Sequence, residues 1–248
     1  MAVVPAGGMV VDTLIVLVAA IIAGSFLLVV GERRPWSDLG LAIDTRTPRD
    51  VAIGLLIPCA ALLLVIGFLA LGQAIGYARD DGGAGSWITG TAQLLLVLAI
   101  PAAAEEALFR GYPFQKLVEA VGPVVATVLA SAGFAIAHRH NPGVNAFALI
   151  NIFVAGVMLS VAFLKTRSLW FAIAVHLGWN WQMAGPLDLP VSGLELFDAP
   201  LYEPVRLGTP WLTGGGFGPE GGIAGLLALL LVTAAVWFYT KQRHPSNG

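Results

Sequence analysis

Seven apolar runs, at residues 10–30, 51–71, 91–104, 124–137, 144–164, 169–184 and 223–239, dominate the chain. A segment of that character has to satisfy its backbone N–H and C=O groups internally once it leaves water, so only helices or a closed barrel remain open to it. The runs lack the residue-by-residue alternation of barrel strands, which leaves helices. Apolar residues make up 57% of the chain and charged ones 11%, with a mean hydropathy of +0.83, against roughly 25% charged in ordinary soluble domains. An all-α, polytopic membrane bundle of about seven transmembrane helices, with a polar cavity, is therefore the expected fold.

Three of the runs, the third, fourth and sixth, are shorter than the roughly 20 residues needed to cross a bilayer core. These are the runs whose ends carry Glu, His or Asn, as expected if polar groups at membrane depth face a wet interior. The first run has no basic flank before it and no clear small-residue cleavage site, so it reads as a retained span and not a signal peptide. With the N-terminus outside, ten of the thirteen Lys and Arg residues fall on the inner side, Arg110 among them, and only Arg79, Arg139 and Arg206 on the outer. That bias fits seven spans with the C-terminus cytoplasmic.

The Gly- and Pro-rich segment 188–222, with Trp211 and Phe217, reads as an irregular loop resting on the bilayer surface, with an eighth half-span as the alternative. No repeat or composition shift divides the chain, so residues 1–248 read as one integral membrane domain with a motif-bearing core at about 91–184. Spans 10–30, 51–71 and 223–239 are peripheral to it. A net charge of −2 with dispersed cations argues against a nucleic-acid partner. The single cysteine, Cys59, precludes an internal disulfide.

Two adjacent carboxylates, Glu105 and Glu106, follow directly on the third apolar run. On a helix Glu106 and Arg110 form an i,i+4 pair, while Glu105 points about 100° away and is left free for chemistry. Phe134 and His138 share a helix face at the end of the fourth run. His176 and Asn180 are again spaced i,i+4, so both can aim at one point. His140, His244 and Asn151 read as structural or solvent-facing.

Under the topology above, Glu105 sits near the inner end of span three, and His138 lies about 20 Å of helix rise away towards the outer side. For the two to meet, span three has to continue past its apolar run, the segment 112–123 has to dip into the membrane, or the helices have to tilt strongly.

The motifs EExxxR at Glu105–Arg110, FxxxH at Phe134–His138 and HxxxN at His176–Asn180, in that order, resemble those of the CAAX prenyl protease type II and bacteriocin-processing family of intramembrane endopeptidases. Phe153, Gly156, Ser160, Thr166, Ser168, Leu169 and Ile173 also match the family's look, and the resemblance covers roughly residues 92–180. It implies that Glu105 is the general base for a water that His138 helps to hold, that His176 and Asn180 stabilise the oxyanion, and that Glu106 with Arg110 braces the helix. It implies a membrane-associated peptide or protein substrate, in a bacterial plasma membrane to judge by the style of the chain, and a role in peptide maturation or bacteriocin processing.

Glu105, His138 and His176 also make an acceptable three-ligand zinc set with an open fourth position. The absence of HExxH, and the presence of Asn180 beside His176, favour chemistry without a cofactor, with zinc as the alternative. A proton relay or transporter would also place Glu, His and Asn inside a bundle, but would usually show paired half-spans or a repeat. A non-catalytic membrane scaffold or immunity protein would be expected to have lost Glu105, His138 or His176.

Overall fold

The computed structural model describes residues 6–243. His244 lies outside them. All seven apolar runs are helical. They correspond to α1 (Ala6–Phe26, extended by a π turn over Leu27–Gly31), α2 (Thr47–Leu71), α3 (Ala84–Phe109), α5 (Pro123–Ala137), α6 (Ala146–Thr166), α7 (Leu169–Ala184) and α9 (Ile223–Arg243). The short α4 (Tyr112–Val121) lies between α3 and α5, and a four-residue α8 (Pro210–Thr213) precedes α9. Among the described residues, five segments are long and apolar enough to cross a membrane, namely Val10–Gly31, Thr47–Leu71, Ala84–Val121, Ala146–Thr166 and Ile223–Gln242. At 15 and 16 residues, α5 and α7 are shorter.

Helix starts are set by polar side chains that take up orphan backbone donors. Asp44 accepts from the N–H groups of Arg46 and Thr47 ahead of α2, Asn145 accepts from Ala148 N at the start of α6, and Ser168 accepts from Phe171 N at the start of α7. A single left-handed residue, Arg167 at φ 54°, separates the end of α6 from that last cap. The two helices therefore form a hairpin with almost no loop.

The centre of the bundle is α7, twelve of whose sixteen residues are buried. It packs on α2, α3 and α6, while α1 lies along α3, α5 along α6, and α9 against α2 and α6. Small residues set the closest approach. A Cβ at Gly178 would stand 2.5 Å from the Leu55 carbonyl oxygen, and one at Gly54 would stand 2.8 Å from the Ala174 Cβ, so α2 and α7 meet backbone to backbone. Exposed apolar side chains such as Ile15, Ile22, Phe68, Leu96, Val124 and Phe238 cover the outer surface, as a lipid-facing surface requires.

One end of the bundle collects the basic residues. Lys116 is bonded to Glu32 and Glu119, Arg34 to Asp38 and Glu119, Arg49 lies over the Tyr239 ring, and Lys165 over Trp237. Arg110 does not join them, contrary to the expected loop tally: it is fully buried inside the bundle.

The opposite end carries a two-stranded antiparallel ribbon, β1 (Ile75–Arg79) with β2 (Tyr202–Arg206). The segment 185–222 is not a loop lying on a surface. It folds back onto the helix ends and buries Leu187, Leu189, Val191, Ala199 and Phe217, although Trp211 is exposed as expected. Tyr77 and Tyr202 tie the ribbon to this segment through bonds to the carbonyls of Leu187 and Pro186. Its Gly and Pro content signals irregular backbone, which has no apolar periodicity from which burial can be read.

Two glycines separate packing from propensity. Gly178→Ala should lower stability by about 1–3 kcal/mol because the obstructing atoms are backbone and cannot move aside. Gly67→Ala, on an open face of α2 where an added Cβ meets nothing within 4 Å, should raise it by about 0.5–1 kcal/mol. Thermal unfolding of the purified protein in detergent would show the opposite shifts.

Candidate active site

The depth conflict between Glu105 and His138 is resolved by how α3 ends. Helical backbone continues five residues beyond Ala104, and the apolar segment resumes in α4, so that Ala84–Val121 forms one 38-residue stretch interrupted at Arg110–Gly111. A side chain at position 111 would stand 2.1 Å from the Ala107 carbonyl oxygen. Glycine is therefore required at this break. Glu105 is thus near the middle of a long segment and not at its end. α4 covers about 15 Å of helix rise, and the chain turns at Gly122 (φ 80°) and Pro123 into α5. About 16 Å of rise along α5 brings Phe134 to Phe109, where the two rings meet edge to face at 5.2 Å.

Behind the site lies a buried ionic network. Glu106 Oε1 accepts from Arg110 Nη1 at 3.0 Å and lies 2.8 Å from His176 Nδ1, while Arg110 Nη2 donates to the Gly156 carbonyl at 3.0 Å. The guanidinium also lies 4.8 Å from the Phe134 ring centroid. Glu106 and Arg110 are both fully buried. Gly156 also lets α6 approach α5 closely, since a Cβ there would stand 2.8 Å from Ser131 Cα. Glu106 therefore does more than brace its own helix. It fixes the imidazole of α7 with Nδ1 turned to the rear and Nε2 to the front.

In front of this network, Glu105, His138, His176 and Asn180 all line one cavity of about 440 Å³, together with Phe134. Glu105 is about one-third exposed, its side chain at 33%, and its Oε2 lies 3.9 Å from His176 Nε2. That oxygen is shielded, and it has no hydrogen-bond partner among the described residues. The separation is too long for a direct hydrogen bond, but a water placed off the line between the two atoms contacts both. His138 Nδ1 is 2.8 Å from the Phe134 carbonyl oxygen. A carbonyl can only accept, so Nδ1 carries the proton and Nε2 is left with its lone pair.

Among the described residues no group of three or more His, Cys, Asp or Glu side chains converges as metal ligands do.

The cavity wall also includes residues outside the three motifs: Asn141, Trp179, Ser192 and Glu220. Glu220 is buried and accepts from Trp179 Nε1, Ser192 N and Ser192 Oγ. Its signal in the sequence is faint, a lone acid among glycines ahead of α9. Asn151, expected to be structural, does hold this region by donating to the carbonyls of Glu220 and Gly222.

Asp188 lies outside the spanning segments, just after α7. Burial, with Glu203, Asp198 and Glu195 adding to it, pushes its carboxyl up to about 7, against the Ala199 N–H bond that favours the charged form.

Two measurements follow from these environments. Arg110→Met strands the buried Glu106 carboxylate and should cost about 3–5 kcal/mol, whereas adding Glu106→Gln to it should recover part of the loss; thermal unfolding in detergent would compare them. A carboxyl raised in the folded state binds more protons folded than unfolded, so stability should fall as pH rises from about 4 to about 7. Asp188→Asn should flatten that slope in unfolding curves taken across the window.

Residues 87–182 match the family model described as "Type II CAAX prenyl endopeptidase Rce1-like". The matched segment runs from Trp87 near the start of α3 to Gln182 near the end of α7, and it contains all three motifs. The expected resemblance holds over this segment. Searches of curated proteins and of solved structures returned no match.

Proposed function

We propose that this protein, whose segment 87–182 is similar to the type II CAAX prenyl endopeptidases, is an intramembrane endopeptidase that hydrolyses peptide bonds with a glutamate-activated water. Family and helical architecture together support a membrane protease. The observation that carries the mechanism is the contrast between two neighbouring carboxylates: Glu106 is fully buried, its Oε1 held by Arg110 and His176, while Glu105 is one-third exposed and lines the cavity with its Oε2 unpartnered among the described residues. A general base needs such an open oxygen.

In this reading one water donates its two hydrogens to Glu105 Oε2 and to the lone pair of His138 Nε2, which turns its own lone pair towards a scissile carbonyl. The water oxygen forms a bond to the carbonyl carbon as its proton passes to Glu105. The developing oxyanion accepts from Asn180 Nδ2 and from His176 Nε2, which donates when the imidazole carries both protons. Glu106 and Arg110 keep that imidazole oriented. Glu105 then returns its proton to the amide nitrogen as the C–N bond breaks, leaving a carboxylic acid and an amine. No nucleophile of the protein forms a bond to the substrate.

The donor geometry supports a metal-free reaction. The segregation of basic residues to one bundle end supports that end as cytoplasmic, with the N-terminus outside. The substrate we propose is a membrane-associated peptide or protein whose apolar flanks suit a cavity walled by Leu98, Phe109, Ile152 and Met158.

Comparison of membrane and secreted peptides from cells producing the wild type with those from cells producing Glu105→Gln should show a peptide that is cut only by the former. Equal cleavage by both would remove Glu105 from the mechanism. Asn180→Ala should lower kcat by about 10²-fold with KM little changed. Chelation should leave the wild-type rate intact, and stoichiometric zinc whose removal abolishes activity would replace this mechanism with the metal-dependent one.

A further inference from the structure

Among the described residues of the cavity wall, Glu220 is the one carboxylate that the reaction above does not use. It lies on the tight turn Pro219–Gly221, is 5% exposed, and accepts three hydrogen bonds: from Trp179 Nε1 to Oε1 at 2.8 Å, and from Ser192 N and Oγ to Oε2 at 2.7 and 2.8 Å. All three donors are neutral: an indole, a peptide N–H and a hydroxyl. Both carboxylate oxygens are occupied, so Glu220 is not a second base. A carboxylate kept at such a site is costly for simple packing, but it makes charge-assisted bonds roughly twice as strong as neutral ones.

What it joins is specific. Trp179 lies between His176 and Asn180 on α7. Ser192 sits at φ 50° in the turn closed by the Val191–Leu194 bridge, a left-handed conformation that a non-glycine residue adopts at a cost. That turn, with Leu194 and Leu196, forms part of the cavity wall. It is also held by Asn141, three residues after His138, which donates to the Ser192 carbonyl at 3.0 Å. The backbone of Glu220 is in turn pinned to α6 by Asn151, at 2.7 Å to its own carbonyl and 2.8 Å to that of Gly222.

We propose that Glu220 is a positioning residue for the endopeptidase reaction, its carboxylate clamping the Ser192 turn of the cavity wall to the Trp179 indole and so fixing both that part of the wall and the helical turn that carries Asn180. The inference rests on the endopeptidase reading for its effect on rate, but the clamp itself is measurable without a substrate.

The test uses the full chain purified in detergent, with Glu220→Gln, Ser192→Ala and Trp179→Phe beside the wild type, and thermal unfolding to establish that each is folded. Trp179→Phe identifies the Trp179 indole proton in the 15N-labelled spectrum. In Glu220→Gln that proton should shift and exchange at least tenfold faster, and the amides of residues 191–196 should likewise exchange at least tenfold faster, while α2 and α9 stay protected. Against a pool of quenched fluorescent apolar peptides, Glu220→Gln should lower kcat by tenfold or more. Ser192→Ala, which loosens only that part of the wall, should raise KM more than it lowers kcat. An unchanged Trp179 signal together with unchanged exchange at 191–196 would overturn the clamp, as would a rate that falls only in proportion to the folded fraction. If the wild type cleaves nothing while both spectroscopic changes occur, the endopeptidase reading fails and the clamp stands.

Discussion

Everything polar in this bundle is arranged around the ion pair of Glu106 with Arg110. Two charges taken out of water are expensive, and they are tolerated only where each has several well-placed partners. Here the partners come from three further places, the His176 imidazole on α7, the Gly156 carbonyl on α6 and the Phe134 ring on α5. A pair that needs partners on three further helices can be satisfied in only one relative placement of those helices. The network thus specifies the geometry of the bundle where apolar packing alone would allow sliding, and it does so directly behind the groups proposed to perform the chemistry.

The neighbouring position differs only by one step around the helix. Glu105 and Glu106 have the same side chain and adjacent backbone, yet Glu106 is sealed behind the wall with two partners on one oxygen, and Glu105 is one-third exposed and opens on the cavity. The helical period of about 100° per residue turns a repeated amino acid into two roles. The break at Arg110–Gly111 then sets their depth, because it lets the chain continue into α4 and return along α5 so that Phe134 and His138 reach the same cavity.

The sequence carried much of this. Seven apolar runs gave seven helices, and the i,i+4 spacing of Glu106 with Arg110 gave an ion pair that the structure contains. The spacing of His176 and Asn180 likewise gave two side chains lining one cavity. Hydropathy marks where apolar residues stop, at Ala104, and not where the helix stops, at Phe109. The link from Glu106 to His176 spans 70 residues, and nothing local encodes it. The segment 185–222 was illegible for a different reason: its order comes from single polar contacts such as Asn151 to Glu220 and Tyr202 to Pro186, and irregular backbone leaves no periodic trace.

The backbone contact of α2 with α7 at Gly54 and Gly178 has a mechanical consequence. With no side chains between them to act as a compliant layer, the two helices behave as one stiff plate, and the imidazole and amide of α7 ride on it. A polypeptide entering the cavity has to be accommodated by elements outside that plate. The least buried of these is α1, whose Thr13 and Val16 reach the cavity while most of its surface faces outward. Rigidity on one wall and compliance on the other would let the same chain hold the groups proposed to react still while yielding to a peptide.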